Sequence, residues 1–181
     1  PGMGLEVVGA WRPSATASDV TAELSAIKVS GAQIIFQSVS GTMGSVLGKQ
    51  WGELKIPAAL VGGAAIACVK TFWDATGGYG NYSSTMIGIG PAKLTEKTMP
   101  FWNAYLKAFD DFPGYVSVTY DAVYVLKEAI ERAGTIDSDK VVAELEKTDY
   151  KGAYGRMVFY PRDHQFPHDL RFGPGYNTWV V

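Results

Sequence analysis

Residues 32–63 read AQIIFQSVSGTMGSVLGKQWGELKIPAALVGG, and their pattern decides the fold class. An apolar run is followed by a loop of small hydroxylated residues, and a second apolar run ends in two glycines. Continuous apolar runs of this length are typical of strands that are buried on both faces. The stretch therefore predicts two parallel strands joined by a helix. The apolar residues at helical spacing between the two runs are Met43, Leu47, Trp51 and Leu54.

The segments before this stretch continue the alternation of strand and helix. Residues 4–11 (GLEVVGAW) are apolar and contain β-branched residues, which predicts a further strand. Residues 13–31 carry Val20, Leu24 and Ile27 on one helical face, which predicts a helix. The order strand, helix, strand, helix, strand predicts an α/β fold with a parallel sheet and helices on both faces.

The rest of the chain is predicted to be mainly helical. Residues 82–87 predict one more strand, and aromatic residues at helical spacing predict a helix from Thr98. Residues 119–134 (TYDAVYVLKEAIERAG) give the strongest helical pattern of the chain, and the tail from residue 155 predicts short strands between turns. The predicted apolar stripe of the strongest helix consists of Ala122, Val123, Leu126, Ala129, Ile130 and Ala133.

Composition excludes several classes of protein. The chain has 181 residues, 47% of them hydrophobic, which is enough for a buried core. A net charge of −2 without a basic run argues against nucleic acid as a partner. No apolar segment is long enough to cross a bilayer. The N-terminal residues have neither the charged nor the apolar region of a signal peptide, so we expect either a removed signal or a start within a larger protein.

The loop of residues 37–41 is a candidate binding loop, but its pattern does not fit phosphate. A P-loop requires G-x-x-x-x-G-K-[ST], whereas Gly48 and Lys49 are followed by Gln50. Met43 occupies the position of the first glycine. The dinucleotide pattern G-x-G-x-x-G is absent from the chain as well. Nucleotide binding is therefore not predicted, and neither is any cofactor.

No catalytic or metal-binding residue is predicted. Ser38 and Ser40 lie outside any G-x-S-x-G motif. We interpret them as hydrogen-bond donors beside exposed backbone amides, and a polar loop that caps the next helix is the alternative. Cys68 lies among alanines, as a core residue does. His164 and His168 are separated by a proline, which argues against a helix that would direct both at a metal and favours solvated turns.

Four segments in this order resemble the type I periplasmic binding proteins, in particular the branched-chain amino acid branch, which supplies the substrate-binding subunits of ABC importers. The most specific motifs are the TYDA helix that ends in ERAG and the run KGAYGRMVF at residues 151–159. The resemblance covers nearly the whole chain. The segments are residues 9–36, 39–63, 113–134 and 141–176.

The resemblance implies two α/β lobes, joined by three crossing segments, with a small ligand held between them. Residues 4–88 are expected to form most of the second lobe, residues 89–153 to return to the first lobe, and residues 154–181 to cross back. Chains of the family are about twice this length. The start of the first lobe and the first strand and helix of the second lobe are missing. Either a missing N-terminal half or a companion chain is therefore expected to cover the apolar faces of the TYDA helix.

The resemblance also implies hinges and a ligand site. Glycines at residues 88–90 and 152–155 are expected to absorb the rotation of the lobes. Ala64 aligns with an acidic residue that faces the ligand's ammonium group in amino acid binders, and alanine cannot neutralise a cation. The ligand is therefore expected to be neutral or a small aliphatic or aromatic acid, with an amino acid-like ligand left open. The expected ligand-binding residues are Ser38, Val39, Ser40, Gly62, Gly63 and Ala64.

The function implied by the resemblance is that of an extracytoplasmic solute-binding subunit without enzymatic activity. Its closed form would dock on an ABC permease in the membrane. A periplasmic or extracellular location is expected, and a lipid anchor through the absent N-terminus stays open. The alternative is a ligand-sensing domain of a receptor or regulator with the same fold. An enzyme on this fold would need a catalytic base beside Ser38 or Ser40, and the sequence offers none there.

Overall fold

The computed structural model describes residues 4–114 and 116–178, which form two compact units that divide between Met86 and Ile87. The three-part division into residues 4–88, 89–153 and 154–181 stays a prediction. In chain order, the regular elements of the first unit are α1 (Thr21–Ser30), β1 (Ile34–Val39), α2 (Met43–Glu53), β2 (Ala59–Ala64) and α3 (Phe72–Ala75), with short 3-10 turns at Ala65–Cys68 and Tyr79–Tyr82.

The sheet of the first unit is parallel, as the sequence predicts. β1 pairs with β2 along the whole length of both strands. Of the predicted strand at residues 82–87, residues 83–86 run along the other side of β2, whereas Tyr82 ends the preceding 3-10 turn. In that segment, the amides of Ser84 and Met86 donate to the carbonyls of Leu60 at 2.9 Å and Gly62 at 2.8 Å. The carboxyl ends of neighbouring chain segments therefore meet at one edge of the sheet.

One core of the first unit lies between this sheet and the two long helices. The predicted faces are confirmed, because Val20, Leu24 and Ile27 of the α1 region and Met43 and Trp51 of α2 are buried together. A hydrogen bond of 2.9 Å from the Trp51 indole nitrogen to the Ala58 carbonyl ties the end of α2 to the start of β2.

Two strand predictions need correction. Residues 4–11 form no strand, and Val7 is 85% exposed. β1 is not buried on both faces either, since Phe36 is 68% exposed. Both have one physical reason, because a strand needs a neighbouring strand for its backbone hydrogen bonds. In the described part of the chain, β1 pairs only with β2, and no strand pairs with residues 4–11 or with the other side of β1.

The second unit combines three helices with a small antiparallel hairpin. Its elements are α4 (Thr98–Phe109), α5 (Val116–Ala133), α6 (Ser138–Leu145), β3 (Asp149–Lys151) and β4 (Arg156–Val158). β3 and β4 pair in antiparallel orientation around the turn at residues 152–155. Two groups of buried side chains hold the unit together. They are Val125, Tyr150, Tyr154 and Met157 in one, and Ile89, Trp102 and Ala153 in the other.

The buried face of α5 differs from the predicted stripe. Ser117, Asp121, Val125 and Ala129 are buried, at intervals of four residues. Val123, by contrast, is 62% exposed. Ala129 is the one residue of the predicted stripe that belongs to this buried face. The helix has apolar residues on two sides, and Asp121 is buried because backbone amides pair with it, so hydrophobic spacing alone does not select the buried side. The expected exposure of an apolar face on this helix is confirmed.

Candidate functional site

The carboxyl ends of β1 and β2 lie side by side. In the parallel register Ser38 is opposite Gly63, and Val39 is opposite Ala64. Ser40 follows at once in the loop that leads to α2. The structure thus brings the two predicted ligand-binding segments to one edge of the sheet. Contact of all six residues with a ligand stays a prediction, since residues 38 and 63 lie on one face of the sheet and residues 39 and 64 on the other.

Val39 and Ala64 face α2. A Cβ atom added to Gly44 of α2 would lie 3.5 Å from the Ala64 Cβ and 3.5 Å from a Val39 methyl group. Ala64 is fully buried. The side chain at residue 64 therefore packs under α2, and it is not presented at the open end of the sheet.

Gly63 and Ser38 lie on the opposite face. A Cβ atom added to Gly63 would meet no atom within 4 Å, and Ser38 is exposed. Gly62 has a different role at this edge of the sheet. Its φ of 118° is unfavourable for other residues, and an added Cβ atom would collide with the Gln37 carbonyl. Gly62 thus allows the close approach of two backbones, and Gly63 leaves open space at the edge.

The edge offers hydrogen-bond donors. Ser38 and Ser40 are exposed, and neither hydroxyl has a hydrogen-bond partner within residues 4–114 and 116–178. α2 begins at Met43 without a side-chain cap, so the alternative that a serine caps this helix is wrong. The N-terminus of a helix carries a positive partial charge and unpaired amides, which favour anions. Two hydroxyls and an uncapped helix start therefore adjoin each other at this edge.

The edge contains no negative charge. β1, β2 and the connecting loop of residues 40–42 lack aspartate and glutamate altogether. One polar residue that sequence reasoning missed is Thr85, whose hydroxyl accepts the Ala64 amide at 3.1 Å. Its position near the end of the predicted strand at residues 82–87 was the available signal. The arrangement can hold an uncharged or anionic group, whereas it offers nothing that would neutralise an ammonium ion.

The residues considered for catalysis or metal binding lie apart from one another. Cys68 is buried, as predicted for a core residue. His164 stacks on the ring of Tyr160, with ring centroids 3.8 Å apart, whereas the His168 imidazole lies 3.1 Å from the Glu146 carboxylate. Among the described residues, no three His, Cys, Asp or Glu side chains form a group suited to a metal ion.

Two cavities of about 590 and 630 Å³ lie in the second unit. The smaller is lined by equal numbers of acidic and basic side chains, and Arg156 in its wall already forms two hydrogen bonds of 2.6 Å with Asp149. Such paired charges form a solvated surface network. We also find that no described helix is both long enough and apolar enough to span a membrane.

Comparison with known proteins gives a family and a fold. A family model described as periplasmic binding protein matches residues 2–175. Among solved structures, the leucine-binding protein LivK from Thermotoga maritima matches with a TM-score of 0.70 and 23% identity, over 80% of this chain and 42% of that one. No curated protein matches the sequence significantly.

Two further structures extend the comparison. The branched-chain amino acid transporter substrate-binding protein LivJ from Streptococcus pneumoniae, solved with isoleucine, matches with a TM-score of 0.64 and 21% identity, over 80% of this chain and 42% of that one. An ABC transporter solute-binding protein from R. palustris, solved with benzoate, matches with a TM-score of 0.72 and 12% identity, over 91% of this chain and 47% of that one. At these identities the likeness establishes the fold, and this chain spans less than half the length of each of the three.

Proposed function

The chain belongs to the periplasmic binding protein family, and on that premise we propose that it is part of an extracytoplasmic solute-binding protein of an ABC importer. Its ligand is a small organic acid, which is held between two lobes. The observation that carries the ligand class is the sheet edge at Ser38 and Gly63, which offers hydroxyl groups and an uncapped helix start without any carboxylate.

The ligand's carboxylate, in this proposal, receives hydrogen bonds from Ser38 and Ser40. A carboxylate accepts such bonds and is stabilised by the positive end of α2. An amino acid ligand would need a partner for its ammonium group as well, since a buried unpaired ammonium ion is costly. Benzoate, the ligand of the R. palustris protein, has a carboxylate and no ammonium group, whereas isoleucine, bound by LivJ, has both. We therefore favour an acid of the first kind.

Catalysis is not part of the proposal. A serine nucleophile at residue 38 or 40 would need a base, and the chain's two histidines both belong to the second unit. The closed, ligand-loaded protein would instead deliver its ligand to a membrane permease. An extracytoplasmic location follows from the family, and a lipid anchor is one way in which the parent protein would remain at the membrane.

The second unit exposes apolar side chains that a further polypeptide segment would cover. The exposed face of α5 carries large apolar side chains, and Phe109 and Phe112 are exposed as well. Apolar surface of this extent marks an interface. We propose that the remainder of a longer parent chain, or a companion chain, covers it. The exposed apolar residues of α5 are Val116, Tyr120, Val123, Tyr124 and Leu126.

Calorimetry with benzoate and with isoleucine as probes tests the ligand class. The measurement should use a sample in which this chain is present together with the segment that covers the apolar face of α5. Benzoate is expected to bind more tightly than isoleucine. Ser38→Ala and Ser40→Ala should each weaken benzoate binding by about 1.5–3 kcal/mol, the usual contribution of a hydrogen bond to a charged group. Ser25→Ala, on an exposed position of α1, is the matched control and should leave the affinity unchanged.

Two results would contradict the proposal at different points. Unchanged benzoate affinity in both serine variants would remove the hydroxyls from the site and leave the family function standing. Tight binding of isoleucine together with no binding of benzoate would overturn the ligand class. Native mass spectrometry of the purified protein adds a direct check, because the mass of a companion chain or of a retained small molecule is read from the same spectrum.

A further inference from the structure

Thr85 bonds to the last residue of β2 through its side chain. The segment of residues 83–86 pairs with β2 through backbone hydrogen bonds to the carbonyls of Leu60 and Gly62. Bonds in a parallel pair are evenly spaced, so the next one on this side of β2 falls at Ala64. There the Ala64 amide donates to the Thr85 hydroxyl at 3.1 Å. A side chain thus takes the place of a backbone acceptor where β2 ends.

The Thr85 hydroxyl contacts both backbone polar groups of Ala64. Besides accepting the amide, it donates to the Ala64 carbonyl at 3.5 Å, which makes a weak bond. A threonine hydroxyl has one donor and two acceptor sites, so the two bonds can exist together. The 3-10 turn at Ala65–Cys68 follows directly. Thr85 therefore holds β2 at the point where the chain leaves the sheet.

Two glycines precede Ala64, and they make this bond important. Glycine has more backbone freedom than other residues and loses more of it on folding. A Cβ atom added to Gly63 would meet no other part of the described chain within 4 Å, so packing at this position does not restrict the backbone. The peptide group between Gly63 and Ala64 is planar, with the N–H of Ala64 opposite the Gly63 carbonyl. A bond to this N–H therefore also sets the direction of the Gly63 carbonyl.

This peptide group lies at the candidate binding site. Gly63 is opposite the exposed Ser38 in the register of β1 and β2. Ala64 is fully buried on the other face, under α2. A rotation of the peptide group between Gly63 and Ala64 would therefore change the backbone groups that stand beside Ser38. The shape of the edge depends on this one peptide group.

We propose that Thr85 is a positioning residue of the ligand site, which holds the peptide group between Gly63 and Ala64 in the orientation that the ligand requires. The inference rests on the proposed function, since the edge at Ser38 and Gly63 is the proposed site. Thr85 acts through the backbone of β2 and needs no contact with the ligand. Without its hydroxyl, the peptide group would populate further orientations. The ligand affinity then falls in proportion to the fraction of the protein that keeps the competent orientation.

Substitutions that change only the hydroxyl group test this role. Thr85→Val removes the hydroxyl and keeps the shape of the side chain, whereas Thr85→Ser keeps a hydroxyl group. Thr76→Val is the matched control, because the Thr76 hydroxyl accepts the Gly80 amide at 3.0 Å in the same unit. Thr76 contacts Gly48 and Phe72, which lie outside β1 and β2. The control thus loses a comparable hydrogen bond that does not involve the strand ends.

Two measurements are made on a sample in which this chain is present together with the segment that covers the apolar face of α5. Without ligand, hydrogen exchange of the Ala64 amide should accelerate by about tenfold in Thr85→Val, the effect of losing roughly one hydrogen bond. In calorimetry, Thr85→Val should weaken benzoate binding about three- to tenfold, because roughly a tenth to a third of the protein would keep the competent orientation. Thr85→Ser should restore most of both values, because its hydroxyl offers the same acceptor.

The control variant separates positioning from a general loss of stability. Thr76→Val should accelerate exchange of the Gly80 amide and lower the melting temperature, while the affinity for benzoate stays at the wild-type value. Thr85→Ala serves if Thr85→Val does not fold, because its smaller side chain lets water reach the Ala64 amide. Water does not hold the amide in one orientation, so Thr85→Ala should also show faster exchange and weaker binding.

Three results would overturn the inference. Unchanged exchange of the Ala64 amide in a folded Thr85→Val protein would mean that the hydroxyl does not hold the peptide group. Faster exchange with unchanged benzoate affinity would mean that the orientation of this group does not matter to the site. An equal loss of affinity in Thr76→Val would assign the effect to general stability. A wild-type protein that binds no benzoate would instead contradict the proposed ligand class, and the exchange of the Ala64 amide would still decide whether Thr85 restrains the end of β2.

Discussion

Replacing Ala64 with aspartate tests which residue of β2 could face a ligand. Amino acid binders are expected to carry an acidic residue at the position that aligns with Ala64. In this chain, however, the side chain at residue 64 packs against Gly44 and Val39 in a fully buried position. Ala64→Asp would therefore place a carboxyl group under α2 rather than at the open edge. The variant should fold less stably and gain no affinity for a cation.

The size of this loss can be worked from the surroundings. The new carboxyl group adds three heavy atoms to a closed space, and overpacking of this kind costs about 1–3 kcal/mol. Burying the polar group without a partner adds about 1–3 kcal/mol. We expect a loss of roughly 2–6 kcal/mol from a total free energy of unfolding of about 5–15 kcal/mol. Because burial raises the pKa of an unpaired carboxyl group, the loss should grow as the pH rises from about 4 to 7.

The free energy of unfolding is measured by urea titration for the wild-type protein, Ala64→Asp and Gly63→Asp. Gly63→Asp is the matched control, since its Cβ would meet no atom within 4 Å and the side chain would reach solvent. The control should lose less than about 1 kcal/mol, as is usual for surface positions. A loss below about 1 kcal/mol for Ala64→Asp, or equal losses for both variants, would refute the assignment of the two faces of β2.

Three further predictions concern other parts of the molecule. Trp51→Phe removes the hydrogen bond from the indole nitrogen to the Ala58 carbonyl. In urea titration the first unit should therefore lose about 1–3 kcal/mol of unfolding free energy. A loss near zero would show that water replaces the indole as a partner of this carbonyl. Burial raises the pKa of Asp121, although the hydrogen bonds from Tyr154 and Ala153 lower it. The wild-type protein should therefore gain stability relative to Asp121→Asn as the pH falls from 7 towards about 4. Thermal melts in which this stability difference shrinks as the pH falls would contradict the prediction. Val123 and Leu126 belong to the exposed apolar face of α5. Replacing both with serine should leave the melting temperature of the isolated chain nearly unchanged and reduce its self-association in sedimentation. A large fall in melting temperature would mean that other residues of the chain already cover this face.

Most of the first unit could be predicted because its signals are local. Val20, Leu24 and Ile27 share a helical face, and two apolar runs joined by a helix are typical of parallel pairing within one sheet. The failure at residues 4–11 has a non-local cause. A strand requires a neighbouring strand for its hydrogen bonds, and residue patterns do not reveal whether that neighbour is present. The same holds for α5, where the pairing of Asp121 with distant amides decides which of two apolar sides is buried.

The alternation of side chains along β2 limits how well the candidate binding site can be predicted from the sequence. The family resemblance points to Gly63 and Ala64, which lie at the carboxyl end of β2, but a shift of one residue moves a side chain from one face of a sheet to the other. The parallel register pairs Gly63 with the exposed Ser38. In the proposed site, an acidic residue at position 63 would therefore stand beside the ligand. Gly63→Asp should therefore weaken benzoate binding through charge repulsion, and the affinity for isoleucine should rise relative to the affinity for benzoate. Ala64→Asp should have neither effect. Calorimetry on both variants decides the point, and improved isoleucine binding by Ala64→Asp alone would place the ligand on the other face of β2.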